Sequence, residues 1–201
     1  DTSRLDDVAA SVRQELERDE VVELIKPGMR IAITAGSRGV ANLALVIKET
    51  VSFLRKRGAK PFVFPAMGSH GGSVAEGQLA IVHEYGVTEE YVGCPVIATM
   101  DTVCIGYLDD GRPIHINRLA AEADGIIALN RIKAHTAFHG RYESGVMKMM
   151  TIGLGAQLGA QICHRQGIMH LGPNVEKFAF GILRNAKILL GIGLVENAYD
   201  E

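Results

Sequence analysis

Between Ile132 and His164 the chain reads IKAHTAFHGRYESGVMKMMTIGLGAQLGAQICH, which sets His135, His139, Lys148 and His164 among glycines and apolar residues. A soluble domain seldom gathers so many titratable nitrogens in apolar surroundings without using them. A further histidine, His70, closes the run Pro65-Ala66-Met67-Gly68-Ser69-His70, where a strand should end and a loop open. Small neighbours leave its ring accessible to a ligand, and the glycines permit backbone geometry that a side chain would forbid. Lys148 lies between Val146-Met147 and Met149-Met150. An ammonium is costly in such company, and a lysine held neutral suits covalent chemistry. The plainer reading is a lysine at the core edge that snorkels to water.

Other signals weigh less. His164 beside Cys163 offers an imidazole and a thiol, both ligands for borderline metals, against the reading of an ordinary helix residue. Met147, Met149 and Met150 read as core packing rather than as a copper site. Gly153, Gly155 and Gly159 resemble a phosphate cradle, but they lack G-x-G-x-x-G spacing after a strand, so only a backbone nest for an anion remains. His83, His115 and His170 read as structural or surface residues. His135 and His139 fall in a loop, because Gly140 ends any short turn.

The elements that must position these groups follow from periodicity. Residues 6–24 read as an amphipathic helix or helix pair, stopped by Pro27-Gly28. Arg30-Ile31-Ala32-Ile33-Thr34 is a strand, followed by the loop Ala35-Gly36-Ser37-Arg38-Gly39 and a helix over 41–57. The unit repeats with a strand over 60–65, the His70 loop and a helix over 74–85, where Ser73 with Glu76 makes a capping box. The segment 96–116, turning at Asp109-Asp110-Gly111, reads as a hairpin. Residues 124–130 are apolar enough for a central parallel strand buried on both faces. Helical composition over 144–150, interrupted by Gly153-Leu154-Gly155, precedes a helix over 174–184 and a strand over 188–192. This alternation predicts an α/β three-layer sandwich with a largely parallel sheet and a small β-hairpin insertion. In such folds the loops at the carboxyl ends of strands line the functional crevice, which is where Arg38, His70 and the stretch after Asn130 fall.

Composition bounds the partners. The chain has 201 residues, 47% of them hydrophobic, enough for one substantial core. Its net charge of −2, with acids and bases interspersed, supplies no basic stripe for nucleic acid. No apolar run approaches a membrane span. Three cysteines, with no C-x-x-C pair, argue against a disulfide framework or structural zinc and fit a reducing cytoplasm. The chain begins without Met, and its last residues follow a strand-like run without a closing element. We read it as a fragment of a longer polypeptide.

The series His70, His135, Lys148 and, sixteen residues later, His164 resembles the N-terminal domain of the nickel-pincer lactate racemase family through nearly the whole chain. The resemblance implies that residues 1–201 are the cofactor-binding domain of such a protein, without its C-terminal domain. It implies a nickel-pincer nucleotide, a pyridinium mononucleotide whose thioamide and thiocarboxylate arms and ring carbon hold nickel. Lys148 would form the thioamide link, and His164 would complete the metal's coordination. Arg38, Gly68 and Ser69 would contact the cofactor, and Arg38 would also clamp the substrate carboxylate. The implied reaction is racemisation or epimerisation of a 2-hydroxy acid, lactate-like or a sugar acid, by hydride transfer to and from the cofactor. Two bases, one on each face, exchange the hydroxyl proton: His70 and His135, with His139 the rival for the second.

The chain departs from the family in three places. Ala35-Gly36-Ser37 precedes Arg38 where the racemases carry an acidic residue, the interval from His135 to Lys148 is a few residues longer than in lactate racemase, and Met149-Met150-Thr151-Ile152-Gly153 follows Lys148 where Pro-Gly is expected. These mark a divergent branch. Without a second domain to exclude water, the fragment is expected to fold but to lack full activity. Two alternatives stand beside this reading: a non-catalytic small-ligand or nucleotide-binding module of the same fold, and a zinc hydrolase using His70, His135 and His164. The expected partners are the substrate and the missing domain, with homo-oligomerisation left open.

Overall fold

The computed structural model describes residues 5–37, 39–135 and 139–196. Two short helices, α1 (Val8–Leu16) and α2 (Asp19–Val22), open the chain. α1 is capped by Asp7, whose carboxylate accepts from the Ala10 amide at 2.9 Å. The β-branched run forms β1 (Arg30–Ala35), and α3 (Leu43–Lys56) turns Leu43, Val46, Ile47, Val51 and Leu54 inward at helical spacing. Then follow β2 (Lys60–Pro65), α4 (Ala75–Glu84) and α5 (Glu89–Val92). The hairpin is β3 (Thr102–Tyr107) with β4 (Pro113–Asn117), an antiparallel sheet of its own. After α6 (Arg118–Ala121) and β5 (Gly125–Arg131) come α7 (Gly145–Lys148), a π-helical segment (Met149–Gly153), α8 (Ala156–His164), α9 (Leu171–Asn185) and β6 (Ile188–Leu194).

The main sheet runs β2-β1-β5-β6, with every described pairing parallel. Alternate residues feed opposite faces, as the pleat requires. Ile31, Ile33, Val63, Ile127 and Leu129 pack with α1 and α3, while Ala32, Phe62, Phe64, Ile126 and Ala128 pack with Met149, Met150, Leu154, Cys163, Phe178 and the hairpin's Ile114 and Ile116. The result is the expected three layers, with one apolar cluster on each side of the sheet.

Strand order creates a crevice. The chain leaves β1 through α3 on one face and leaves β5 through α7 to α9 on the other, so β1 and β5 flank the point where the topology reverses. The paired residues of β1 and β5 stop at Ile33↔Ile127. Beyond it the buried Thr34 hydroxyl replaces the ladder, accepting from the Leu129 amide at 2.8 Å and donating to the Leu129 carbonyl at 3.2 Å.

One local expectation needs correction. Ser73 does not cap α4: it has a positive φ of 58°, its hydroxyl donates to the Ser69 carbonyl at 3.0 Å, and Val74 occupies the cap position without a side-chain bond. Gly153-Leu154-Gly155 interrupts the helical run after Lys148, as expected. The π-helical segment ends at Gly153, Leu154 and Gly155 form a turn, and α8 starts at Ala156, with φ 48°. No helix among the described residues is long and apolar enough to cross a membrane.

Candidate active site

Three loops leave the carboxyl ends of β1, β2 and β5; the first two are joined by a side-chain hydrogen bond, and the first also reaches Asn130 and Arg131 at the end of β5. From β1, Gly36 passes so close to the π-helical segment that a Cβ would lie 3.4 Å from Met149 Cε and 3.6 Å from Asn130 Oδ1. Ser37 follows, its Oγ hydrogen-bonded to His70 Nδ1 of the β2 loop. Arg38 lies outside the described residues.

The β2 loop is held from behind by α4. Gln78, 2% exposed, donates its amide to the Gly68 carbonyl at 3.0 Å and to the His70 carbonyl at 3.2 Å. Tyr85, at the end of the same helix, donates its hydroxyl to the Ser37 carbonyl at 3.0 Å. Gly71, with φ 65°, makes this closure possible, since a Cβ there would sit 2.7 Å from the backbone of Gly77 and Gln78. Ser69 and His70 are exposed, and Gly68 is buried.

The β5 loop is organised by a residue that the sequence did not single out. Glu143 accepts from the His135 amide at 2.9 Å, from the Gly140 amide at 3.1 Å and from His139 Nδ1 at 3.1 Å. These hydrogen bonds, the His135 amide first, hold its carboxyl below the usual glutamate range. His139 therefore presents an 88% exposed ring tied to Glu143, whereas His135 is half-buried. The i, i+4 interval between His139 and Glu143 was the available clue. Asn130 donates to the Gly145 carbonyl at 3.0 Å, and Lys133 N–H to Ser144 Oγ at 2.7 Å, fixing the start of α7 and with it Lys148.

His164 ends α8. Its Nδ1 lies 2.6 Å from the Ala160 carbonyl, and since a carbonyl only accepts, Nδ1 carries a proton, so in the neutral form of this exposed residue the lone pair is on Nε2. One turn earlier, the Cβ of Ala160 lies 3.3 Å from where a Gly68 Cβ would stand, which ties α8 to the His70 loop. Cys163 is no metal partner for His164. It is fully buried, and desolvation pushes its thiol up to about 12 against the opposing pull of the Arg112 and Lys148 charges.

The glycines after Lys148 are packing positions, not a phosphate cradle. A Cβ on Gly153 would meet the Ala66 carbonyl oxygen at 2.6 Å, one on Gly155 the Gly159 Cα at 2.8 Å, and one on Gly159 the His115 carbonyl oxygen at 3.0 Å. His115 is bonded to Thr102 Oγ1 at 3.1 Å, and His83 and His170 are exposed. Among the described residues no three His, Cys, Asp or Glu side chains are grouped to hold a metal ion, so the zinc-hydrolase reading lacks its ligands there.

Comparison with known proteins gives this geometry a relative. The chain superposes on the lactate racemase apoprotein from Thermoanaerobacterium thermosaccharolyticum with a TM-score of 0.66 and 15% identity, over 96% of this chain and 49% of that one. At that identity the likeness establishes the fold, and the chain spans about half the length of the protein it matches. Comparison with curated protein sequences gave no match. The sequence model of the lactate racemase N-terminal domain matches residues 2–174, a span that takes in His70, His135, Lys148 and His164. The chain belongs to the lactate racemase N-terminal domain family.

Proposed function

We propose that this chain is the cofactor-holding half of a 2-hydroxy acid racemase or epimerase that works with a nickel-pincer nucleotide. The observation that carries the proposal is the reversal of topology between β1 and β5: the loops leading to Ser37, His70 and His135 begin at the carboxyl ends of β1, β2 and β5, the first two joined by the Ser37–His70 hydrogen bond, and α7 with Lys148 follows the third. The residues present fit the cofactor. His164 commits Nδ1–H to a carbonyl and keeps Nε2 for a metal, and a group bringing its own sulfur and carbon donors needs only one such imidazole. Lys148, half-buried at the end of α7, would tether it. When bound, the cofactor would supply the hydride acceptor.

The chain's own residues would handle the proton. His70 and His135 would take it from the substrate hydroxyl and return it, one on each face, a role suited to imidazole near neutrality. His135 suits the second position better than His139, whose ring is exposed and bound to Glu143. Arg38, adjoining Ser37, would clamp the substrate carboxylate. Gly68 and Ser69 would line the cofactor. The substrate is lactate-like or a sugar acid. A second domain would close the crevice and exclude water, and this half alone would not turn over. Three free thiols, at Cys94, Cys104 and Cys163, fit the cytoplasm.

The test is chiral chromatography of a single 2-hydroxy acid enantiomer incubated with the cofactor-loaded full-length protein, second domain included. His70→Gln and His135→Gln should each abolish inversion while His139→Gln keeps it. Full turnover by both of the first two variants would refute the assignment of bases.

A further inference from the structure

Helix α4 holds both partners of the Ser37–His70 hydrogen bond by their backbones. Tyr85 fixes the Ser37 carbonyl, and the buried Gln78 amide fixes the carbonyls of Gly68 and His70. Two loops from separate strands are thereby set in register, so that one hydroxyl meets one ring nitrogen. A contact anchored at both ends by a third element is built into the fold.

A serine hydroxyl can donate one proton or accept, and the two modes give His70 different chemistry. If Ser37 donates to Nδ1, the neutral ring carries its proton on Nε2 and has no lone pair to offer on its far side. If Ser37 accepts from Nδ1–H, Nε2 is bare in the neutral ring and protonated in the charged one, and the hydrogen bond survives both states unchanged. Only the second mode serves a group that alternates between base and acid.

We propose that Ser37 is a positioning residue whose Oγ accepts the Nδ1 proton of His70, making Nε2 the atom that takes and returns the substrate's hydroxyl proton. In that transfer the O–H bond breaks, its electron pair stays on the substrate oxygen, and a new N–H bond forms at Nε2. The ring gains one positive charge and later gives the same proton back. The identity of the proton rests on the racemase reading, whereas the tautomer of His70 does not.

The experiment is ¹⁵N NMR of the histidine-labelled chain without cofactor or substrate, with the His70 ring nitrogens assigned by their loss in His70→Gln. The neutral ring should be protonated on Nδ1. Ser37→Ala should move the majority to the Nε2–H form, and Ser37→Thr, which keeps the hydroxyl, should restore the original tautomer. An Nε2–H majority in the unsubstituted chain, or an unchanged tautomer in folded Ser37→Ala, would overturn the proposal. Should Ser37→Ala fail to fold, the tautomers of the unsubstituted and Ser37→Thr chains still decide. An unmodified Lys148 in protein exposed to the cofactor would sink the racemase reading without touching this result.

Discussion

Replacing Gln78 by Met tests whether the His70 loop is held by α4 or merely rests on it. The two side chains are similar in length, so packing is largely kept, and what disappears is an amide that donates to the Gly68 carbonyl at 3.0 Å and to the His70 carbonyl at 3.2 Å. Gly68 is buried, so its carbonyl loses its partner without gaining water, a cost of about 1–3 kcal/mol. His70 is exposed, its carbonyl can be rehydrated, and that loss is about 0.5–1 kcal/mol. Together these amount to roughly 1.5–4 kcal/mol, which for a chain of this size lowers Tm by about 3–16 °C. Denaturant unfolding should show a lower midpoint at unchanged slope. Hydrogen exchange should show the Ser73 amide, bonded to the His70 carbonyl at 3.3 Å, losing protection first. A Gln78→Met chain within about 0.5 kcal/mol of the parent, with an unchanged exchange pattern, would refute the reasoning.

Three further outcomes follow from the same geometry. Gly153→Ala drives a Cβ to 2.6 Å from the Ala66 carbonyl oxygen, and since backbone yields less readily than the nearby Met149 side chain, the expected loss is about 1–3 kcal/mol by denaturant unfolding. The Glu143 carboxyl is held below its usual range, so its hold on the β5 loop is complete above the ordinary glutamate range and is lost as pH falls through the depressed value. The His135 and Gly140 amide resonances should therefore shift in one acid transition that Glu143→Gln removes. Native alkylation should modify the exposed Cys104 rapidly and spare Cys94 and Cys163, whose thiols burial raises to about 11 and about 12; mass spectrometry of the labelled peptides reads this directly.

The layers were legible because each depends on local periodicity. The alternation in 30–35 and 60–65 and the helical spacing in 43–54 needed no tertiary information, and strand–loop–helix repetition placed His70 and His135 at carboxyl ends of strands. What stayed hidden depends on contacts between distant segments. The bond from Thr34 to Leu129, which marks the crevice, spans 95 positions, and Ser37 meets His70 across 33. Gln78 reads as an ordinary polar residue of an amphipathic helix until the loop it serves is seen folded onto it. Ser73 carried the signature of a capping box, yet Gly71 and Gly72, both at positive φ, turn the chain so that its hydroxyl reaches Ser69 instead. The glycines at 153, 155 and 159 looked like an anion loop because close backbone packing and phosphate binding both demand the absence of a side chain.

The central claim is that Lys148 and His164 hold a metal-bearing cofactor at this crevice. Denaturing mass spectrometry, with nickel analysis of the native sample, tests it on protein co-produced with the enzymes that make the cofactor. The expected result is an adduct on the peptide bearing Lys148 that Lys148→Arg abolishes, and loss of nickel with retention of the adduct in His164→Ala. An unmodified Lys148 in protein so produced, or nickel retained in full by His164→Ala, would contradict it.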